Sequence, residues 1–264
     1  MLAPEAPNAM NSVFALARFV LLEALRTRLA ILVVWTLAIG LGLAGFLSQL
    51  ALTERALLQA GVLAAFFRVS AVFICAAFVI TSMVRESNDK GTELLLSLPL
   101  SRTSYYAGKL LGFAACGAVV AGVFSATMLL WCPPLAVGAW FASLVLEIWL
   151  VCAVSLFFVV TLGDVVSSLA STLAMYLLSR IVSAIQSVSA SPLAQDDDVL
   201  HRIAAWGVDA VALLLPPLDK ATQTSWLLYG PPSPADLASV AASLLVYGGL
   251  VIAAGLFDFH RRNL

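Results

Sequence analysis

Residues 139–161 read AWFASLVLEIWLVCAVSLFFVVT, an apolar run in which Glu147 is the one charged residue. A helix needs about 20 apolar residues to cross the ~30 Å hydrocarbon core of a bilayer, so this run predicts a membrane-spanning helix. Only helices and closed barrels satisfy their backbone polar groups inside lipid. We therefore expect an all-α integral membrane protein with six transmembrane helices, the others at about 29–49, 61–84, 103–131, 165–189 and 236–257.

The composition is typical of a membrane protein. Of 264 residues, 62% are hydrophobic and 11% are charged, with mean hydropathy +1.01, whereas soluble domains carry about 25% charged residues. The sequence has no basic stripe interleaved with aromatic residues, which argues against nucleic-acid binding. The cysteines form no C-x-x-C pair and are interpreted as small apolar filler; they are Cys75, Cys116, Cys132 and Cys152.

Residues 1–28 precede the first span and are interpreted as a cytoplasmic tail and an interfacial helix. The stretch 11–28 reads NSVFALARFVLLEALRTR and places Arg18 on one helical stripe, with Phe14 and Leu25 on the other side. This amphipathic pattern predicts a helix that lies along the cytoplasmic surface of the membrane.

The basic residues predict the orientation of the single transmembrane domain, residues 29–264. Cytoplasmic segments carry an excess of Lys and Arg. With the N-terminus in the cytoplasm, the inner segments hold nine basic residues and the outer segments three, Arg55, Arg202 and Lys220. We expect a multi-pass protein of the cell inner membrane with both termini cytoplasmic. The nine inner residues are Arg18, Arg26, Arg28, Arg85, Lys90, Arg102, Lys109, Arg261 and Arg262.

An enlarged outer segment, residues 190–233, separates the last two spans. Within it, 199–215 is interpreted as a re-entrant or interfacial helix, because a seventh span there would place the basic C-terminus outside. The acidic run Asp196-Asp197-Asp198 with His201 could suggest a metal site. We favour capping of the following helix by Asp198 and solvation of the others.

A polar stretch between the second and third spans carries a row of leucines. Residues 85–100 read RESNDKGTELLLSLPL, in which Asp89-Lys90-Gly91 is a turn signal and Thr92 can cap a short helix that Pro99 ends. Ser101 is a suitable N-cap for the next span. Leucines on a polar loop indicate docking into a partner, and a short helix joined to both spans would move them when pushed.

These residues resemble the cytoplasmic loop of ABC-2 type transporter permeases, most closely the branch that includes the permease of nitrous-oxide-reductase copper-site maturation. The resemblance rests on Arg85-Glu86, Lys90-Gly91-Thr92, Glu93, Leu95-Leu96, Leu98-Pro99, Ser101-Arg102, Tyr106 and Gly108-Lys109.

The resemblance implies that the loop, 85–102, contains a coupling helix seated in a groove of an ATP-binding subunit. The alternative is a membrane-surface helix whose leucines enter lipid. The residues that would form or shape the ATPase contact are Glu86, Gly91, Thr92, Glu93, Leu95, Leu96, Pro99 and Arg102.

The chain is not expected to hydrolyse ATP. A phosphate-binding P-loop needs G-x-x-x-x-G-K-[ST], but Leu110 follows Gly108-Lys109 and Thr103 stands where the first glycine should be. We expect a non-catalytic subunit without a cofactor of its own, whose partner ATPase binds ATP and Mg²⁺. We expect a homodimer of this chain, or one copy plus a related permease, joined to two ATPase chains.

The ionisable residues Arg68, Glu147 and Arg180 lie within predicted spans. Counted from the outer ends, all three lie roughly 10–14 Å deep at about 1.5 Å per residue. Intramembrane charges are usually paired or functional. We expect Glu147 to pair with Arg68 or Arg180; the alternatives are snorkelling of each arginine to the outer headgroups and direct substrate contact.

Small residues on two spans permit close helix approach and are candidates for the surface between permease copies. Packing within one chain explains them equally well. They are Gly40, Gly42 and Gly45 in the first span, with Ser167, Ser168, Ala170, Ser171 and Ala174 in the fifth.

The sequence therefore favours the membrane subunit of an exporter-like ABC complex. One alternative is a mechanotransducer that moves no substrate and drives an outer partner, such as a metal-site maturation factor, docked at 190–233. The other is a membrane-embedded enzyme, for which the spans offer only Glu147, Arg68 and Arg180. No residue pattern names a substrate.

Overall fold

A computed structural model describes residues 9–50, 54–89, 101–189, 206–207, 212 and 215–261. Six of its helices are long and apolar enough to cross a membrane, which confirms the predicted all-α membrane architecture. The helices are α1 (Ala9–Arg26), α2 (Leu29–Leu50), α3 (Arg55–Asn88), α4 (Arg102–Met128), α5 (Pro134–Leu162), α6 (Val165–Ser189), α7 (Ser225–Tyr229) and α8 (Pro234–Arg261). The six spans are α2 to α6 and α8.

Local sequence signals explain several helix ends. The Ser101 hydroxyl accepts a hydrogen bond from the Ser104 amide at 3.1 Å and caps α4 as predicted. Gly163 ends α5 at φ 73°, a left-handed conformation that glycine adopts without strain. Asp164 then caps α6, and the hydrogen bond from the Ser167 amide at 2.9 Å holds the pKa of this carboxyl below its ordinary value.

Helices α3 and α5 form the centre of the bundle. Helix α5 contacts α3, α4, α6 and α8, while α3 contacts α2, α4, α5 and α6. We call the end of the bundle that holds residues 89 and 101 the loop side, and the other end the opposite side. At about 1.5 Å per residue, α3 is about 50 Å long, so this single helix connects the two sides.

Helix α1 packs directly on the loop-side half of α4. Leu16 and Val20 are buried, and they lie against Gly108 and Gly112. A Cβ atom added at Gly112 would lie 2.6 Å from Val20 Cβ, and one at Gly108 would lie 2.9 Å from Leu16 Cβ. This close seam between α1 and α4 was not predicted by the amphipathic pattern. Helix α1 also carries exposed apolar side chains, Phe14, Phe19, Leu22 and Leu25.

A stretch of the segment before α8 is buried on the opposite side of the bundle. Within residues 215–229, Leu218 and Thr222 are almost fully buried, and α7 contacts α3 and α5. We call 215–229 the re-entrant segment. Of the predicted re-entrant or interfacial helix at 199–215, only positions 206–207, 212 and 215 are described, so that helix stays a prediction. The Asp196–Asp198 and His201 alternatives lie outside the described residues.

All four cysteines are free and buried. Cys75, Cys116 and Cys152 lie within α3, α4 and α5, and Cys132 lies in the turn after α4. Burial raises the pKa of the Cys132 thiol. These positions agree with the interpretation of the cysteines as apolar filler.

Candidate functional site

A hydrogen-bonded ion pair joins the two helices that flank the predicted coupling loop. The Glu86 carboxylate, near the end of α3, pairs with the Lys109 ammonium of α4 and accepts a hydrogen bond from the Tyr105 hydroxyl at 2.8 Å. The Lys109 side chain is fully buried and that of Glu86 is 13% exposed. We call Glu86, Tyr105 and Lys109 the loop clamp. Because both carboxylate oxygens are engaged, the clamp joins α3 to α4 beneath the loop.

Helix α1 is connected to the same region. The Ser82 hydroxyl of α3 donates to Glu23 Oε1 at 2.9 Å. The Lys109 ammonium also lies 5.6 Å from the ring centroid of Phe19, within cation–π range. Helix α1 is therefore linked to α3 by a hydrogen bond and to α4 by a cation–π contact.

The start of α4 is attached to the end of α8. Arg102 Nη1 donates to the His260 carbonyl at 3.2 Å, and the Tyr105 ring stacks on Phe259 with centroids 5.8 Å apart. Four helices are thus connected where the chain enters and leaves the predicted coupling loop.

The predicted coupling residues divide into two groups. Glu86 and Arg102 are described, and both make contacts within the chain. The Glu86 carboxylate contacts α4, so Glu86 is suited to fixing the position of the helix end where the loop begins. The other predicted coupling residues lie outside the described residues: Gly91, Thr92, Glu93, Leu95, Leu96 and Pro99.

The three intramembrane charges converge in the half of the bundle away from the loop. Arg68 and Glu147 lie about 20 Å from the opposite-side ends of α3 and α5, at about 1.5 Å per residue, which is deeper than predicted. Glu147 of α5 is fully buried, and its Oε1 accepts a hydrogen bond from the Tyr176 hydroxyl at 2.8 Å. Arg180 Nη1 lies 3.4 Å from the same oxygen. Of the two candidate partners, it is Arg180 that lies within ion-pair distance of Glu147.

Both arginines also bind backbone carbonyls of the re-entrant segment. Arg68 Nη1 donates to the Thr222 carbonyl at 2.9 Å. Arg180 donates to the carbonyls of Leu218, Ala221 and Thr222, the last two at 3.0 and 3.3 Å. Irregular backbone at membrane depth needs donors from neighbouring protein. Both guanidiniums are therefore directed at this backbone rather than at lipid headgroups.

Thr222 adopts an uncommon backbone conformation at the centre of these contacts. Its φ is 46°, a left-handed value that is unfavourable for a β-branched residue and costs about 1–3 kcal/mol. The Ser143 hydroxyl accepts from the Thr222 amide at 2.8 Å, while both arginines bind the Thr222 carbonyl. We call Arg68, Ser143, Glu147, Tyr176, Arg180 and Thr222 the re-entrant cluster. Its hydrogen bonds hold the backbone in place.

Several members of these two clusters were not singled out from the sequence. Lys109 was counted as a loop-side charge, although its position well inside a predicted span was a usable signal. Tyr105 stood beside the recognised motif. Ser143, Tyr176 and Thr222 gave no signal, because serine, tyrosine and threonine are ordinary residues in spans and loops.

A family model described as ABC-2 family transporter protein matches residues 46–216. The match covers well over half of the chain, from the end of α2 to the start of the re-entrant segment, and includes the loop clamp and most of the re-entrant cluster. A search of curated proteins finds no match.

Proposed function

The chain belongs to the ABC-2 family of transporter proteins, and on that premise we propose that it couples ATP hydrolysis by a separate ATP-binding subunit to conformational work across the membrane. The family consists of the membrane components of transporters, so this chain is a membrane-spanning permease subunit. Its six long apolar helices agree with that role. In the proposed complex, the ATPase chain binds ATP and Mg²⁺ and docks on residues 92–99. This chain supplies the mechanical transmission and the route for a substrate.

The loop clamp is the observation that carries this proposal. If the two helices that flank the loop were not joined, a force on the loop would only move one helix relative to the other. Here Glu86 of α3 is hydrogen-bonded to Tyr105 and ion-paired with Lys109 of α4. A buried, fully engaged pair of this kind resists separation, because breaking it leaves a charge without a partner at a cost of about 3–5 kcal/mol. A push on the loop would therefore move α3 and α4 together.

Helix α3 provides the path to the opposite side. Glu86 and Arg68 belong to the same helix and lie about 27 Å apart along its axis, at about 1.5 Å per residue. Arg68 holds the Thr222 carbonyl of the re-entrant segment. Displacement of α3 would therefore reach 215–229 through one rigid element, by the charge-assisted Arg68 hydrogen bond and by the packing of α7 against α3. This gives a physical sequence of steps from ATPase closure to the far side of the membrane.

The orientation and assembly follow the same proposal. The loop side would face the cytoplasm of a cell whose inner membrane holds the protein, in agreement with the distribution of Lys and Arg. Two copies would form a homodimer. Gly42 and Gly45 support a contact along α2, because a Cβ at either would have nothing within 4 Å, whereas Gly40 is already covered by Phe67.

A second candidate is a mechanotransducer that drives an outer partner at 190–233 without moving a substrate. The re-entrant cluster supports this alternative. If α3 moves the segment 215–229, the movement can change a surface that an outer partner binds as readily as it can open a route for a substrate. Membership in the branch that includes the nitrous-oxide-reductase maturation permease also stays a prediction.

Co-purification tests the coupling. A tagged chain is extracted from membranes that contain its ATPase, and bound ATPase and ATP turnover are measured. Leu95→Asp places a charge in the proposed docking helix and should remove most of the bound ATPase while the permease remains in the membrane. Leu130→Asp, at an exposed leucine in the turn on the opposite side, is the matched control and should retain it. Unchanged ATPase binding and turnover in Leu95→Asp would exclude this docking site.

A further inference from the structure

A cavity of about 480 Å³ opens on the loop side, between the end of α1, the start of α2 and the loop-side end of α3. Its lining includes Arg26, Arg28 and Arg85 together with Leu29, Ile74 and Phe78. Neither the loop clamp nor the re-entrant cluster uses these side chains. The cavity therefore requires its own explanation.

The cavity has an excess of positive charge. Its three arginines are exposed, and they come from three separate elements, the last residue of α1, the turn before α2 and the end of α3. The one carboxylate in the lining is Glu23, which accepts a hydrogen bond from Ser82. Within the described ranges, no carboxylate forms an ion pair with any of the three arginines. An anionic ligand would supply the missing counter-charge.

The apolar part of the lining lies deeper in the membrane, while Thr27, Thr81 and Ser82 add hydroxyl groups to the wall. Ile74 is about 16 Å farther along α3 than Arg85, at about 1.5 Å per residue, and both Ile74 and Phe78 are buried. Leu29 and Leu32 line the cavity from α2. The cavity is thus cationic towards the loop side and apolar towards the bilayer centre. A small soluble anion would contact only the cationic part of the cavity.

We propose that this cavity binds an anionic phospholipid, with the phosphate at Arg26, Arg28 and Arg85 and an acyl chain along the apolar walls of α2 and α3. Guanidinium groups bind phosphate oxygens through paired, charge-assisted hydrogen bonds. Basic pockets between transmembrane helices on the cytoplasmic side suit anionic headgroups. Because the site is built from three elements, its ligand joins α1 and α2 to α3 beside the loop clamp, where Arg85 directly precedes Glu86. The proposal does not depend on the identity of the ATPase partner.

Ligand-dependent thermal unfolding of the purified full chain in detergent tests the site. The probes are a phosphatidylglycerol, a phosphatidylcholine with the same acyl chains, and inorganic phosphate. A ligand that binds the folded state raises Tm. Phosphatidylglycerol should raise the Tm of the wild type, while phosphatidylcholine and inorganic phosphate should not. An equal shift with phosphatidylcholine, or a shift reproduced by inorganic phosphate alone, would overturn the assignment to an anionic lipid.

Variants locate the binding to the cavity. Binding of phosphatidylglycerol should weaken at least about tenfold in the combined variant R26Q/R28Q/R85Q and about fivefold in R85Q alone, which keeps the test valid if the combined variant does not fold. E23Q removes the opposing charge and should strengthen binding about fivefold. R18Q, at an exposed arginine of α1 that does not line the cavity, should bind as the wild type does. Equal binding by R18Q and R85Q would overturn the site.

Discussion

The Arg68 guanidinium of α3 donates a hydrogen bond to the Thr222 carbonyl at 2.9 Å. This contact connects the helix that leads from the predicted coupling loop to the segment inserted on the opposite side of the bundle. It also explains an arginine inside a membrane span. Arg68 provides a donor that irregular backbone needs at that depth, at a carbonyl whose residue is held at a positive φ.

We predict that Arg68→Met loosens the re-entrant segment without unfolding the bundle. Thr222 keeps its contact with Arg180, so the loss should be that of one charge-assisted hydrogen bond, about 1.5–3 kcal/mol. Amide hydrogen exchange in 215–229 should accelerate, while exchange in α5 stays slow. Lys220→Met, at an exposed residue of the same segment, is the control and should leave exchange unchanged. Equal protection in Arg68→Met and the wild type would contradict this role.

The pair Glu147 and Arg180 should respond asymmetrically to substitution. Arg180→Met leaves a buried carboxylate and several carbonyls with fewer donors, and we expect a loss of about 3–5 kcal/mol in unfolding free energy. Glu147→Gln keeps an acceptor for Tyr176 and should cost less. The double variant should lose less than the sum of the single variants. Thermal unfolding in one detergent measures all three, and strict additivity would show that the two side chains are independent.

A related prediction concerns the loop clamp. Lys109→Met leaves the largely buried Glu86 carboxylate without its cation and should destabilise the chain by about 3 kcal/mol. Adding Glu86→Gln removes the orphaned charge and should recover part of the loss. Leu111→Met, at an exposed position of α4, controls for substitution in this helix. If the double variant is less stable than Lys109→Met, the ion pair is not the source of the effect.

The seam between α1 and α4 predicts that a side chain at Gly112 displaces α1. Alanine at this position would place its Cβ 2.6 Å from Val20 Cβ and 3.1 Å from Ala17 Cα. Because one neighbour is backbone, α1 has to move, at a cost of about 1–3 kcal/mol. Trypsin should then cut faster at Arg18 and Arg26. Gly138→Ala, where a Cβ meets nothing within 4 Å, should show the wild-type cleavage rate; equal rates in both variants would argue against the seam.

Apolar runs were sufficient to predict the six spans, because a helix that crosses the bilayer needs about 20 mostly apolar residues. The intramembrane charges were also visible from the sequence, since a charge such as Glu147 stands out against an apolar background. The choice between Arg68 and Arg180 as its partner could not be made. It depends on how α3, α5 and α6 are placed around the centre of the bundle, which residue spacing does not encode.

Other features lie beyond sequence reasoning for different physical reasons. The sequence of the re-entrant segment has no helical or strand-like hydrophobic periodicity. Its conformation depends on contacts with Ser143, Arg68 and Arg180, which are distant in the chain. The seam at Gly108 and Gly112 was visible as G-x-x-x-G, a spacing typical of close helix packing. Its partner, α1, was assigned to the membrane surface instead. The docking helix at 92–99 stays a prediction.

The central claim is that ATP-driven force on the loop travels along α3 to the re-entrant segment. Its most direct test is the emission of a bimane label at Lys220→Cys in the assembled complex with its ATPase, in lipid nanodiscs; the four native cysteines are buried. ATP, but not ADP, should change the emission, and Arg68→Met should remove most of that change while ATP turnover continues. A full ATP-dependent change in the Arg68→Met complex would contradict the account.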